Sequence, residues 1–443
     1  MTEHRPNQFA LLRSRRFLPL FLVQFLGAFN DQVYQKAFVA LVTYRLADQV
    51  GVPLAMLGVI ASALFILPFA VVTPTAGQYA DRVDKAVMMR FVKAWEIVVM
   101  GLAVIGYHTQ NIYFLYFVLF LMGAQSAVFA PIKYAVLPQY LRPHELLGGN
   151  GLVQGSTFLA IIFGTILGNE LILTEYGVSI VSGVVVAIAV AGFVASLYTP
   201  SAPASAPHEP VDWVFPRAIA RLMDMAWQNR PAFRAILAIS WFWFLGATFL
   251  SLLPAYAKEE LGADESVLTV LLAAFSIGVA LGAVASERLG RGRVGVDLPP
   301  VGALGLAVMA VELWFATPVR TGPGLIDRAA FFADPQGWRI LVDFVLIAAF
   351  AGMYVTPLNA VLQSEATPSR RAQFIAASNV MDATFMVVSA GVVAVLVGMG
   401  LGTTEVLVLV TVSGLPMSIL VARYAPGTRL GRVALALWPR GPQ

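Results

Sequence analysis

Cysteine is absent from the 443 residues, which removes disulfides, thiolate metal sites and cysteine nucleophiles together. Charge is scarce: Asp, Glu, Lys and Arg make up 12% of the chain, where a soluble domain carries roughly 25%. The four histidines (His4, His108, His144, His208) are scattered, and none sits in a zinc-binding pair such as H-E-x-x-H. None is followed by aspartate at the H-x-x-x-x-D spacing that activates an acceptor hydroxyl, and no Gly-Lys dipeptide exists to build a phosphate-binding loop. These gaps argue against an enzyme, a bound metal and a cofactor. The net charge of +4 is small, and no nucleic-acid partner is expected. The first sixteen residues are polar and basic, without an apolar segment and small-residue cleavage site, so no signal peptide is expected.

Apolar residues are what the chain has in excess, at 58%. Surface-to-volume scaling prevents a soluble protein from burying that much, so lipid must be the solvent for most of it. A bilayer core takes about 20 apolar residues as a helix. Twelve stretches qualify: 17–41, 54–79, 87–107, 112–139, 146–173, 178–199, 232–257, 266–289, 298–317, 339–363, 371–399 and 403–424. They are too long for strands and lack the alternation of a membrane barrel. The expected fold is an all-α integral membrane protein with twelve transmembrane helices.

Lysine and arginine set the orientation. With a cytoplasmic N-terminus, most of the 29 basic residues fall in inside segments, including Arg82, Lys85, Arg90 and Lys93, Arg142, and Arg423, Arg429, Arg432 and Arg440. The outside segments hold only Arg45, Lys258, Arg320, Arg328 and Arg339. Both termini are therefore expected in the cytoplasm, with an even number of spans. A Pro/Ala/Ser linker begins at Thr199, and residues 211–230 read as an amphipathic helix on the membrane surface. The expected organisation is a six-helix bundle over 1–199, a cytoplasmic linker with that helix over 200–231, and a second six-helix bundle with a basic tail over 232–443.

The halves resemble each other. Ala130-Pro-Ile-Lys-Tyr-Ala-Val-Leu137 matches Thr356-Pro-Leu-Asn-Ala-Val-Leu-Gln363, and Asn150 matches Asn379. Two such halves suggest pseudo-symmetry about an axis along the membrane normal, with substrate bound between them. Between the second and third spans stands Gly77-Gln-Tyr-Ala-Asp81-Arg82-Val-Asp84-Lys85. It resembles the G-x-x-x-D-R-x-G-R/K loop of the major facilitator superfamily, which implies that fold and a conformational latch made by Gly77, Asp81, Arg82 and Lys85. Glycine there lets helices approach, and the aspartate suits the positive end of a helix in the other half. Gly282-Ala-Val-Ala-Ser286-Glu287-Arg288 is a degraded copy.

Charge inside a span costs about 2.5–3.5 kcal/mol on insertion scales and needs a reason. In the first span Gln24, Asp31 and Gln35 share a helix face, with Asn30 beside Asp31 and Lys36 pointing off the stripe. Asp31 is expected about 20 Å into the span, past its middle toward the outside. Lys133, Asn150 and Gln154 in the first half, and Asn359, Asn379 and Asp382 in the second, complete a ring of polar candidates for substrate binding or gating. Such a ring would suit a zwitterionic or anionic head group, with Lys133 as a point charge for phosphate. Helix–helix hydrogen bonding is the alternative for the asparagines. Glu96 and Glu312 are each either a proton site or a pairing partner. Arg339 and Asp343 read as an i, i+4 structural pair.

Four segments carry a further resemblance: Gln24-Phe-Leu-Gly-Ala-Phe-Asn-Asp31, Phe129-Ala-Pro-Ile-Lys-Tyr134, Gly149-Asn150-Gly-Leu-Val-Gln154 and Pro357-Leu-Asn-Ala-Val-Leu-Gln363. They are similar to the bacterial lysophospholipid transporter family, and to the transporter domain fused to acyltransferase and acyl-carrier-protein synthetase domains. The resemblance implies flipping of lysophosphatidylethanolamine and lysophosphatidylglycerol from the outer to the inner leaflet of the bacterial inner membrane. An acyltransferase or acyl-carrier-protein synthetase would be the functional partner, and Asp31 and Lys133 the head-group or gating residues. One departure stands out: some members carry an arginine in the seventh span, where Gly246-Ala-Thr-Phe-Leu-Ser251 is neutral here. The rival reading within this fold is an exporter of drugs or small metabolites.

Overall fold

The computed structural model describes residues 8–46, 54–290, 297–318 and 325–417. The basic tail, the end of the expected 403–424 span, and Arg320 lie outside the described residues.

The first half contains α1 (Leu18–Arg45), α2 (Leu54–Val71), α3 (Thr73–Arg82), α4 (Lys85–Thr109), α5 (Ile112–Ala135), α6 (Leu137–Tyr140), α7 (Leu146–Ile172) and α8 (Gly177–Leu197). The linker carries α9 (Phe215–Gln228). The second half contains α10 (Arg230–Ala255), α11 (Glu265–Gly290), α12 (Leu298–Ala316), α13 (Arg328–Ala333), α14 (Pro335–Glu365), α15 (Arg371–Gly398) and α16 (Thr403–Val412). A 3-10 turn over Gln8–Arg13 precedes them. Among the described residues no strand forms, and only Ala263 and Ile326 make an isolated bridge. The chain has an all-α membrane fold. A helix satisfies its own backbone groups, which is what hydrocarbon demands.

Each of the twelve expected stretches coincides with one or two helices. Among the described residues, eight are long and apolar enough to cross a membrane, or nine if α2 and α3 form one bent span. The helices α1 and α4 fall outside that set because polar and charged residues are set into them. The 54–79 stretch is not one straight helix: it breaks at Val72 with a bend of 49°. Pro68 inside α2 and Pro74 at the start of α3 account for the break, since each removes a helical N–H and crowds the preceding turn.

Side-chain caps fix several helix starts. Asp84 accepts the N–H groups of Ala86 (2.8 Å) and Val87 (3.4 Å) at the head of α4. Asn111, Asn229 and Asp334 do the same for α5, α10 and α14. In the linker, Ala218, Leu222 and Ala226 bury one face of α9 at four-residue spacing, while Trp213, Phe215 and Trp227 stay exposed. Two corrections follow for charges. Lys93 reads from the sequence as an inside-loop cation, yet α4 begins at Lys85, and Lys93 is buried two turns into it. Arg339 does not pair with Asp343. It reaches Glu312 on α12 at 2.6 Å.

Candidate functional site

The charged side chains of α1, α4 and α5 form one network. Lys93 Nζ lies 2.6 Å from Glu96 Oε2, and both side chains are almost fully buried. Glu96 also accepts from Asn30 Nδ2 (2.8 Å) and Gln125 Nε2 (3.2 Å). A buried ion pair holds only when its remaining lone pairs are satisfied, and this one meets that condition. Beside it, Ser126 Oγ donates to Asp31 Oδ2 at 2.6 Å. Because α1 runs to Arg45, Asp31 stands at the midpoint of the 28-residue helix rather than beyond it. Gly27 is small for a reason: a Cβ there would meet Lys93 Nζ at 2.5 Å.

A cavity of about 250 Å³ opens between the halves. Gln24 and Asp31 of α1, Lys133 and Tyr134 of α5, and Gln154 of α7 face it from one side. Trp243 of α10, Asn359 of α14, and Ser378, Asn379 and Asp382 of α15 face it from the other. Phe65 and Phe69 of α2 add apolar wall. Gln24 is tied to α7 through the Val153 carbonyl (3.0 Å), Ser156 (2.9 Å) and Thr157 (2.9 Å). Lys133 Nζ sits 5.0 Å from the Tyr134 ring centroid and within electrostatic reach of Asp31. Asp382 accepts from Ser240 Oγ at 2.7 Å.

Several sequence candidates lie elsewhere. Asn30 and Gln35 are buried but do not line the cavity, and Lys36 does not line it either. Glu312 is paired with Arg339, well apart from the cavity. Asn150 is not a lining residue but a bridge between the halves: it donates to Gln363 Oε1 and accepts from Gln363 Nε2, both at 2.8 Å. Gln154 and Asn359 stand one helical turn away from that bridge, on the cavity side. Asn150 and its repeat partner Asn379 therefore play different parts, the one a bridge, the other a lining group whose Nδ2 has no partner. Gln125, Ser126 and Ser240 carry no signal in the sequence, Gln363 stands there only within a repeat segment, and Lys93 only among the inside cations. The i, i+3 spacing of Lys93 and Glu96 was the available signal for the last of them.

The end of the molecule bearing the α3–α4 and α14–α15 connections is shut. Asp81 accepts the N–H groups of Ala372 and Gln373, each at 3.1 Å, at the N-terminus of α15. The free N–H groups and dipole of a helix start favour an anion there. Lys85 Nζ is 3.6 Å from Asp81 and donates to Ser205 of the linker at 2.8 Å. Gly77 lies against α15, where a Cβ would meet the Ala372 carbonyl oxygen at 2.8 Å. Arg82 is exposed and makes none of these bonds. In the other half, Glu287 accepts the Gln8 N–H at 3.1 Å, and Gln8 Nε2 donates to the Val284 carbonyl at 2.8 Å. Arg370 Nη2 holds Glu209 at 2.7 Å, and that hydrogen bond keeps the Glu209 carboxyl below its ordinary range.

Away from the shut end, α15 exposes most of its apolar surface. Only 17% of its most apolar stretch is buried, against 61% for α10 and for α14. Val387, Val388 and Val395 are all exposed. The face of α15 that carries Ser378, Asn379 and Asp382 borders the cavity, while bare valines cover its outer side.

The sequence model of the Major Facilitator Superfamily matches residues 20–390. Curated relatives include the lysophospholipid transporter LplT of Serratia proteamaculans, 27% identical over 387 residues, covering 86% of this chain and 88% of that one. The protein of the same name from Klebsiella pneumoniae (strain 342) is 28% identical over 409 residues, covering 88% and 93%. Among solved structures, the human organic anion transporter MFSD10 superposes with a TM-score of 0.71 at 13% identity, over 91% of this chain and 99% of that one. FucP, a major facilitator transporter in the outward conformation, gives 0.70 at 13% identity, over 93% and 99%.

Proposed function

This chain belongs to the Major Facilitator Superfamily, and from that premise we propose that it is a lysophospholipid transporter of the bacterial inner membrane. It moves the lipid from the outer to the inner leaflet by alternating access of two six-helix bundles, 1–199 and 232–443, joined by the linker 200–231. Both termini are cytoplasmic, so the shut end faces the cytoplasm and the cavity faces outward. An acyltransferase or acyl-carrier-protein synthetase restores the second chain afterwards. The relatives named above carry the same activity in their names, and transporter rather than enzyme names run through them.

The observation that carries the lipid reading is the exposed apolar length of α15 beside a polar cavity. A lysolipid has a compact charged head and a single chain. Its head needs the groups presented by Asp31, Lys133 and Asp382, while its chain is stable only in hydrocarbon. A cavity closed on all sides by packed helices suits a small metabolite, whereas one with a lateral gap lets the chain stay in the membrane while the head crosses.

The test is reconstitution of the purified protein in liposomes with a fluorescent lysophospholipid in one leaflet. Wild-type protein is expected to raise inter-leaflet transfer at least tenfold over protein-free vesicles, and Lys133→Gln to remove most of that gain. Lysolipid that stays in its leaflet, with soluble drugs or metabolites moving instead, would put this protein among small-molecule exporters.

A further inference from the structure

We propose that Asp382 is the ammonium-binding half of a divided head-group site, so that the cavity selects lysophospholipids with a primary ammonium over those with an anionic head. The inference deepens the lysophospholipid reading and rests on it.

The acidic groups near the cavity have different company. Glu96 is consumed by Lys93, Asn30 and Gln125. Asp31 is bonded to Ser126 and lies in the field of both Lys93 and Lys133. Asp382, by contrast, has only hydroxyl donors, Ser240 at 2.7 Å and Ser378. No Lys or Arg nitrogen stands within 4.0 Å of it among the described residues. It is 8% exposed, and that small opening is into the cavity. A carboxylate desolvated to this degree without a cation is unfavourable until something positive arrives.

The complementary vacancy lies across the cavity. Lys133 has no carboxylate within 4.0 Å among the described residues, and its neighbour is the Tyr134 ring. Tyr134 in turn is within electrostatic reach of Asp382. The first half therefore offers an amine and the second a carboxyl group that ionises once a cation replaces its lost hydration, with Tyr134 common to both. Trp243 lies one turn beyond Ser240 on α10 and also lines the cavity. Its indole provides a π-face for an ammonium. The unpartnered Nδ2 of Asn379 supplies a donor to phosphate or ester oxygens on the same wall.

An ethanolamine head placed with phosphate toward Lys133 and ammonium toward Asp382 satisfies both charges. A glycerol head carries only the phosphate charge and leaves Asp382 facing neutral hydroxyls. The neutral Gly246–Ser251 stretch offers α10 no arginine to offset that carboxylate.

The experiment uses the full chain in proteoliposomes, with chain-labelled lysophosphatidylethanolamine and lysophosphatidylglycerol measured side by side. Wild-type protein is expected to move the ethanolamine lipid faster. Asp382→Asn should lower the ethanolamine-to-glycerol rate ratio at least tenfold, and Asp382→Glu should restore most of it. Should Asp382→Asn fail to fold, Ser240→Ala, which frees the carboxylate from its orienting hydroxyl, must lower the same ratio. An unmoved ratio, including a proportionate loss of both rates, overturns the assignment and makes Asp382 a coupling or packing group. Wild-type protein that moves neither lipid defeats the lysophospholipid reading itself, and this inference with it.

Discussion

Lys93 and Glu96 are worth more to the fold as a pair than either residue suggests alone in the sequence. Both side chains are almost fully buried, Lys93 at the edge of the cavity, and removal of one leaves the other as an isolated buried charge. Breaking such a pair costs about 3–5 kcal/mol, whereas replacing both members with neutral residues of similar volume is often close to neutral. Lys93→Met is therefore expected to lower the melting temperature in detergent by many degrees, and the double variant Lys93→Met, Glu96→Gln to recover most of the loss. Equal melting temperatures for the single and double variants would place Glu96 in contact with water instead. The sequence made part of this legible: intramembrane acids stand out against so little charge, and Asp31, Lys133, Gln154, Asn359, Asn379 and Asp382 all reach one cavity. What it hid was partnership. Gln8 and Glu287 are 279 positions apart, and nothing local to either announces the other. Lys93 groups with the inside cations by the positive-inside pattern although it falls within the 87–107 stretch, and the Asp84 cap that starts α4 at Lys85 sets it two turns deep.

At the scale of the element, the meeting of α3 with the head of α15 governs the shut end. Asp81 contributes two charge-assisted hydrogen bonds to main-chain N–H groups, and an anion at a helix N-terminus contributes roughly 0.3–1 kcal/mol when exposed and up to about 2 kcal/mol when partly buried. One to two kcal/mol changes an equilibrium by a factor of about 5–30. Asp81→Asn should shift the protein by that factor toward the state open at this end. A thiol introduced at Asn379 reports it, because a membrane-impermeant reagent supplied to the side of the Asp81 latch will label the thiol faster in the variant. Unchanged labelling would mean that the Gln8–Glu287 and Asn150–Gln363 contacts hold this end without Asp81. Helix positions were readable from length and hydropathy, since lipid imposes both. The break between α2 and α3 has a sequence signal in Pro68 and Pro74, six residues apart within one apolar stretch. The exposure of α15 was not. Its apolar pattern resembles that of α11, and only packing reveals that 56% of one and 17% of the other is buried.

At the scale of the whole molecule, the alternating access proposed above requires that the contacts closing one end break together while the opposite end closes. The Asn150–Gln363 bridge is the clearest place to stop that motion. It crosses from α7 to α14, it is reciprocal, and it lies one turn beneath lining residues of the cavity. The repeat visible in sequence suggested symmetric roles for Asn150 and Asn379. The structure divides them, because Asn150 meets Gln363 whereas the repeat position matching Gln363 in the first half is Leu137, which offers Asn379 no amide. The absence of native cysteine makes the consequence easy to measure. With Asn150→Cys and Gln363→Cys in the same chain, a short bifunctional thiol reagent should join the two halves and reduce lysolipid transfer to the protein-free level. A reducible linker should return it on addition of reductant, while each single variant treated alike keeps most of its activity. Transfer that continues through a completed cross-link would show that the lipid passes without separation of α7 from α14, along the outer face of α15 rather than through the cavity.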